Sequence, residues 1–171
     1  MDRLLAPERR KPTTTFNSPL EAGVRAVAIL AAAFPRAYDL QRLIAYDHLL
    51  VHTGDLPEGP DSLHPPAPMR TAELLVRRGL IERALLLMMT RDLVCRETDE
   101  TGFRYKAGEN AALFFSIIQS EYIIALRSRA DWLVERLGDL TDLEFRALMR
   151  RYFDDWVEEF QMPEQSSGNN P

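Results

Sequence analysis

Hydrophobic and polar residues follow one another along this chain with the spacing of amphipathic helices. The first predicted helix starts at Ser18-Pro19-Leu20-Glu21, where the serine caps free backbone N–H groups and the proline fits the first turn. Pro35 marks its end. A second predicted helix begins after Asp39 and runs to about Val51. Residues 53–68 are rich in proline and glycine, which indicates a loop.

The middle of the chain predicts a helix-turn-helix followed by a β-hairpin. Residues 71–78 and 81–92 are two predicted helices, and Gly79 supplies the turn between them. Residues 93–98 and 103–106 are the two predicted strands. The predicted fold class is therefore mainly α with a small β-hairpin, a winged-helix-like domain extended by two long C-terminal helices. A generic helical domain with an incidental hairpin is the alternative.

Two long helices are predicted to close the chain. The first covers residues 109–137 and ends at Gly138, and a capping box from Thr141 to Glu144 starts the second. Apolar residues recur along the second helix at a spacing of three or four: Phe145, Leu148, Met149, Tyr152, Phe153, Trp156, Val157 and Phe160. This stripe indicates either a core-facing helix or a docking surface for a partner helix or a second copy.

Length and composition predict one folded domain with polar ends. We expect a flexible basic tail over residues 1–15, a single domain over residues 16–161 and a flexible tail over residues 162–171. The sequence has no apolar run of about 18 residues, so no membrane span is predicted. Cys95 is the single cysteine, which excludes an internal disulfide and suits a cytoplasmic protein.

The charge pattern limits any contact with nucleic acid. The net charge is −5, so the chain as a whole repels phosphate, although basic residues outnumber acidic ones between residues 70 and 106. The candidates for contacting DNA phosphates are Arg70, Arg77, Arg78, Arg83, Arg91, Arg96, Arg104 and Lys106. The alternative is an ordinary solvated surface of mixed charge. The apolar run 84–89 is predicted to be buried on most sides, which argues against reading of base edges by this helix.

Motifs that would indicate catalysis are missing from the sequence. It contains no GxSxG, Walker or HExxH motif, so no catalytic residue and no cofactor are predicted. Cys95 is predicted to lie in a strand as a core residue rather than a nucleophile. His48 and His52 lie four apart on a predicted helix and form a weak candidate metal pair, but no third ligand is specified. Alternatively, these histidines help to close the end of the helix or bond to a neighbouring loop.

Three stretches of the sequence carry a resemblance to a known family. The longest is Met-Arg-Thr-Ala-Glu-Leu-Leu-Val-Arg-Arg-Gly-Leu-Ile-Glu-Arg-Ala-Leu-Leu-Leu-Met-Met over residues 69–89. The others are Tyr46-Asp47-His48 with His52-Thr53-Gly54-Asp55, and Phe103-Arg104-Tyr105-Lys106-Ala107-Gly108-Glu109. Together they resemble the middle component of bacterial three-component ABC-ATPase systems, of which the Lamassu type is the best-known setting. The resemblance extends from about Phe16 to Phe160.

The resemblance implies an accessory subunit rather than an enzyme. Such a subunit would bind an SMC-like coiled-coil ABC ATPase and help couple the sensing of foreign DNA to an effector, often a nuclease, in anti-phage and anti-plasmid defence. Double-stranded DNA would be contacted through the complex without sequence specificity, and no membrane is involved. Candidate interface residues are Tyr46, Asp47, His48, His52, Asp55, Tyr152, Phe153, Trp156 and Phe160. The alternatives are a dimeric winged-helix transcription regulator and a metal-dependent enzyme built on the histidine pair.

Overall fold

The computed structural model describes residues 18–66 and 71–152, with residues 71–75 described by their backbone only. The predicted class, mainly α with a small β-hairpin, is confirmed over these residues. The helices are α1 (Pro19–Ala33), α2 (Leu40–Val51), α3 (Thr71–Met89), α4 (Ala111–Ile117), α5 (Glu121–Leu137) and α6 (Asp142–Tyr152). The strands are β1 (Val94–Asp99) and β2 (Gly102–Ala107), and a short 3-10 turn spans Thr53–Asp55.

Helix α1 lies at the centre of the fold, in contact with α2, α3, α5 and β2. It begins as predicted, because the Ser18 hydroxyl accepts a hydrogen bond of 3.2 Å from the backbone N–H of Glu21. Gly23 lies against the Met88 side chain of α3, which a Cβ atom at this position would displace. The glycine therefore lets α1 and α3 approach closely. Helix α2 also begins as predicted, with the Asp39 carboxylate accepting from the backbone of Arg42.

The predicted hairpin is confirmed, and it is joined to the helices. Strands β1 and β2 pair antiparallel from Val94 opposite Ala107 to Asp99 opposite Gly102. Tyr38, in the connection between α1 and α2, forms an isolated antiparallel bridge with Tyr105 through backbone bonds of 2.9 and 2.8 Å. The hairpin is thereby fixed to the start of α2.

The predicted glycine turn at Gly79 is wrong, because α3 continues through it from Thr71 to Met89. One glycine inside a helix costs only about 1 kcal/mol relative to alanine. The burial of the α3 face against α1 and α2 offsets that cost, with Ile81 and Leu85 fully buried. The helix-turn-helix is therefore not formed at residues 71–92.

The single helix predicted over residues 109–137 is also wrong, because the chain forms two helices there. Helix α4 ends at Ile117, and α5 starts at Glu121. The Ser120 hydroxyl accepts from the backbone N–H of Ile123 at 3.3 Å and caps the new helix. Ile117 and Ile118 are β-branched and have a lower helix propensity than leucine, so a break before the capping serine costs little.

The last helix begins at the predicted capping box. The Thr141 backbone N–H donates to the Glu144 carboxylate at 2.8 Å, and the Glu144 N–H donates to the Thr141 hydroxyl at 3.2 Å. Phe145 and Met149 of the predicted stripe are buried, whereas Tyr152 is exposed. The stripe residues from 153 to 160 lie outside the described residues. No helix within the described ranges is long and apolar enough to cross a membrane.

Candidate functional site

Charged side chains form a cluster inside the fold, centred on Asp47 of α2. Arg25 of α1 binds this carboxylate with both ends of its guanidinium, at 2.6 Å to Oδ1 and 3.3 Å to Oδ2. Arg77 of α3 binds Oδ2 from the other side. Arg25 and Asp47 are almost completely buried. We call these three residues the ionic cluster, which joins α1, α2 and α3 at one point.

The charges of the ionic cluster stabilise one another. Burial alone would raise the pKa of Asp47, but Arg25 and Arg77 hold it below its usual value. Burial alone would lower the pKa of Arg25, but Asp47 raises it above its usual value. The Asp47 carboxylate therefore stays ionised and the Arg25 guanidinium stays protonated at neutral pH. Two cations and one anion in a buried position fit a structural tie between helices.

All three histidines of the chain lie next to this cluster. The His48 and His52 rings are 4.4 Å apart, and the His64 ring is 6.3 Å from that of His52. The His64 Nε2 also forms a 2.9 Å hydrogen bond with the Tyr122 hydroxyl of α5. Burial, together with the nearby His52 and Arg77, lowers the pKa of His48 to about 3. The pKa values of His52 and His64 are lowered as well, mainly by burial.

The candidate metal pair has no third ligand in the described part of the chain. His48 and His52 do lie together, as their spacing predicted, but no group of three His, Cys, Asp or Glu side chains there is placed to hold a metal ion. His52 is the C-terminal capping residue of α2, as the alternative interpretation proposed. Its lowered pKa indicates a neutral ring, so attraction between a positive ring and the helix dipole is not the reason for its position.

The residues predicted from the sequence as a partner interface differ in their exposure. Tyr46, Asp47, His48 and His52 are all buried, so they present no surface to a partner. Asp55 is exposed, as the prediction requires. Tyr152 is exposed at the end of the described part of α6, and Phe153, Trp156 and Phe160 lie outside the described residues.

A second buried arginine, Arg42, which sequence reasoning missed, binds the chain where α5 ends and α6 begins. The Arg42 guanidinium of α2 donates at 2.7 Å to the carbonyl oxygens of both Leu137 and Leu140, where α5 ends. It also bonds Asp142 at the start of α6 and lies 4.4 Å from the Tyr38 ring centre. The signal available in the sequence was a charge on the otherwise apolar face of α2. Such a charge needs partners, although it does not say which.

The candidate phosphate-binding residues fall into those that form an ion pair within the protein and those that form none in the described ranges. Ion pairs within the protein hold Arg77 to Asp47, Arg78 to Glu82, Arg104 to Asp142, and Lys106 to Glu97. The side chains of Arg83, Arg91 and Arg96 are exposed and form no salt bridge within the described ranges, and Arg70 lies outside them. Arg96 instead lies over the Phe103 ring at 4.3 Å. The set available for phosphate is therefore smaller than the sequence indicated.

The outward face of α3 is apolar to an extent that the sequence analysis did not predict. Ala84, Leu85 and Met88 are buried, but Leu86 and Leu87 are exposed, and Leu86 keeps 55% of its surface accessible. Val76 is 73% exposed on the same helix. The expectation that the run 84–89 is buried on most sides is therefore wrong. Cys95 is also exposed, so its prediction as a core residue is wrong.

Helix α4 has apolar side chains on two opposite faces. Ala111 and Phe115, four residues apart, are buried against the rest of the fold. Leu113 and Ile117, also four apart, point away from it and are 59% and 71% exposed. Ile118 follows directly and is also exposed. We call Leu113, Ile117 and Ile118 the α4 ridge.

Neighbouring exposed apolar side chains such as those of the α4 ridge can mark a site of contact with another protein. The family model for Middle Component 2 of ABC-three component (ABC-3C) systems matches residues 15–159. The chain belongs to this family, and it is therefore an accessory component of an ABC-3C defence system. Searches of curated proteins and of solved structures gave no significant match.

Proposed function

We propose that this chain is a non-catalytic subunit that binds an SMC-like coiled-coil ABC ATPase. In this role it helps couple the sensing of foreign DNA to an effector, a nuclease, in Lamassu-type anti-phage and anti-plasmid defence in the cytoplasm. Membership of the Middle Component 2 family supports a role within a multi-component system. The identities of the ATPase and the effector follow from the resemblance of residues 69–89 and their flanks to such systems.

The α4 ridge is the observation that carries this proposal. Burying a large aliphatic side chain contributes about 1.5–3 kcal/mol, so leaving Leu113 and Ile117 in water forgoes stability. A short helix with a buried apolar face gains nothing for folding from a second apolar face. A partner that covers the ridge would recover that energy. The ridge is therefore proposed as the surface that contacts the ATPase component.

The polar side chains also support a structural rather than a catalytic role. Each oxygen of the Asp47 carboxylate already accepts from an arginine, which leaves it a poor general base. The rings of His48 and His52 are buried, which separates them from any substrate in solution. The residues that attracted interest as possible chemistry are thus committed to packing.

A dimeric winged-helix DNA-binding regulator is the second candidate, and the element order favours it. Helix α1, the bridge from Tyr38 to Tyr105, α2, α3 and the hairpin follow one another in the order of a winged-helix domain. In that arrangement α3 would enter the major groove. Its outward face presents Val76 and Leu86 beside Glu82 and Arg83, so apolar side chains occupy part of the face that base readout would need, which favours the adaptor.

Co-purification from cells that express the neighbouring ATPase and effector genes tests the proposal. The tagged chain should recover the ATPase, and Leu113→Asp with Ile117→Asp should reduce recovery at least about tenfold, equivalent to about 1.4 kcal/mol. The matched control is Leu20→Asp with Leu143→Asp, which places the same charges at two other exposed leucines.

The outcomes separate the candidates. If the unmodified chain recovers no ATPase, the adaptor function is wrong. If both double variants recover it equally well, the ridge is not the contact surface. A sequence-specific DNA footprint produced by the isolated chain would favour the regulator instead.

A further inference from the structure

The outward face of α3 is a second exposed apolar surface, separate from the α4 ridge. Val76 and Leu87 are eleven residues apart, about three helical turns, so they lie on one line along the helix. Gly79 lies beside this line and has no side chain, and the Arg83 Nη1 would stand 3.5 Å from a Cβ atom there. The face therefore has no side chain at Gly79, where the Arg83 guanidinium lies close, and has apolar side chains at its two ends.

The charge on this face is positive. Arg83 and Arg91 are exposed on and just after α3, and neither forms a salt bridge within the described ranges. Glu82 and Asp92 are the exposed acidic residues between residues 76 and 92. Glu82 is paired with Arg78, which leaves Arg83 and Arg91 against Asp92 and a net charge of +1. A complementary occupant would combine apolar or aromatic side chains with acidic ones.

The chain contains a segment of that chemistry directly after α6. Residues 153–160 read Phe-Asp-Asp-Trp-Val-Glu-Glu-Phe, which is four acidic residues, no basic residue and four large apolar ones. Their apolar residues are spaced by three, one and three, a spacing that suits one face of a helix. The described part of α6 ends just before, at Tyr152.

The chain connection at the end of α6 places residues 153–160 within reach of α3. Helix α6 packs on α2, where the Phe145 and Tyr46 rings are 5.2 Å apart. Helix α3 packs on α2 at the next residue, since Arg77 binds Asp47. Neighbouring helices lie about 8–10 Å apart, and eight residues span about 12 Å as a helix or about 26 Å when extended. The extended length of the segment therefore exceeds the spacing of two neighbouring helices, which the proposed contact with α3 requires.

We propose that residues 153–160 pack across the outward face of α3 in the same molecule, with aromatic side chains on Val76, Leu86 and Leu87 and carboxylates beside Arg83 and Arg91. This contact covers the apolar surface of α3 and leaves the α4 ridge free for a partner. The C-terminal stripe is then an internal cover rather than the partner interface.

Chemical cross-linking of the full-length chain tests this contact. In a Cys95→Ser background, cysteines are placed by Glu82→Cys on α3 and Gln161→Cys after the segment. They are joined with a bis-maleimide that spans about 10 Å, roughly the spacing of packed helices. The matched control keeps Gln161→Cys and Glu82, and it carries Ser128→Cys at an exposed position of α5. We expect an intramolecular cross-link at least fivefold more abundant than in the control.

A charge exchange provides the second arm of the test. Adding Arg83→Glu and Arg91→Glu should reduce the cross-link at least threefold, and adding Glu158→Arg and Glu159→Arg to that variant should restore it. Equal cross-linking in the α3 and control pairs would overturn the proposal. Cross-linked dimers in place of monomers would also overturn it, because the occupant would then be the segment of a second copy. Neither result depends on recovery of the ATPase.

Discussion

In most proteins charged side chains are exposed and large apolar ones are buried. The centre of the fold and helix α4 both depart from this distribution, in opposite ways. Around Asp47 the protein buries an aspartate, an arginine and two histidines, whereas α4 leaves Leu113 and Ile117 in water. Buried charges must be paired to be tolerated, and the ionic cluster provides the pairing. Exposed aliphatic side chains need no pairing but gain from being covered. The difference teaches that residue type alone is a poor guide here to which surface meets a partner.

Removing the anion from the ionic cluster should have the largest effect on stability. Asp47→Ala leaves the Arg25 guanidinium buried without a counter-ion, and we expect a loss of about 3–5 kcal/mol in the free energy of unfolding. Urea denaturation followed by circular dichroism measures it. Asp55→Ala, at an exposed aspartate nearby, should change stability by less than about 0.5 kcal/mol. A loss below about 1 kcal/mol for Asp47→Ala would mean that the cluster is not a structural tie.

Removing the buried guanidinium of Arg42 should have the next largest effect. Arg42→Met keeps much of the side-chain volume but leaves the carbonyl oxygens of Leu137 and Leu140 without their donor, which should cost about 3 kcal/mol. Arg36→Met is the control, since Arg36 forms an exposed pair with Asp139 whose loss should cost at most about 1 kcal/mol. Equal losses in the two variants would contradict a specific clamp at the α5–α6 junction.

Acid should destabilise the protein through its buried histidines. The pKa of His48 is lowered to about 3 in the folded state from an unfolded value near 6.5, so the folded state favours the neutral ring. Its contribution is fully present above pH 6.5 and is lost as the pH falls from there toward 3. We expect about 2 kcal/mol of lost stability from His48 alone between pH 7 and pH 5, measured by urea denaturation at each pH.

The His48→Gln variant separates this effect from general acid denaturation. Its stability should depend less on pH over the same range than that of the unmodified chain. A slope of stability against pH that is unchanged by the substitution would contradict the burial of a neutral His48.

The smallest effect on stability is expected at the α4 ridge. Leu113→Ser with Ile117→Ser should change the free energy of unfolding by less than about 0.5 kcal/mol per residue, because both side chains are mainly in water. Phe115→Ala, on the buried face of the same helix, should cost about 3–5 kcal/mol. Thermal or urea unfolding of the three proteins measures both. If the serine variant is as unstable as the alanine variant, the ridge belongs to the core.

Local signals along the chain predicted helix starts better than breaks within helical stretches. Ser18, Asp39 and Thr141 are short polar residues in front of apolar periodicity, and each caps a helix as expected. The break before Ser120 used the same chemistry, but it was hidden within a longer apolar pattern. Gly79 failed as a stop signal because packing of α3 against two helices outweighs the cost of one glycine.

The polar interior depends on contacts between residues that are far apart in the sequence. Asp47 pairs with Arg25, 22 positions away, and with Arg77, 30 positions away. Periodicity predicts that one face of α2 is buried, but it does not identify which distant cations meet a buried carboxylate. Tyr46 to His52 therefore resembled a functional motif when its side chains form the packed centre of the domain.

Hydrogen–deuterium exchange of the chain, alone and bound to the ATPase component, tests most directly whether the exposed apolar helix is the partner surface. We predict that exchange at backbone amides of residues 111–118 slows on binding, while the amides of buried α2 are unchanged. Protection confined to other surfaces, with residues 111–118 exchanging as fast as in the free chain, would contradict the account.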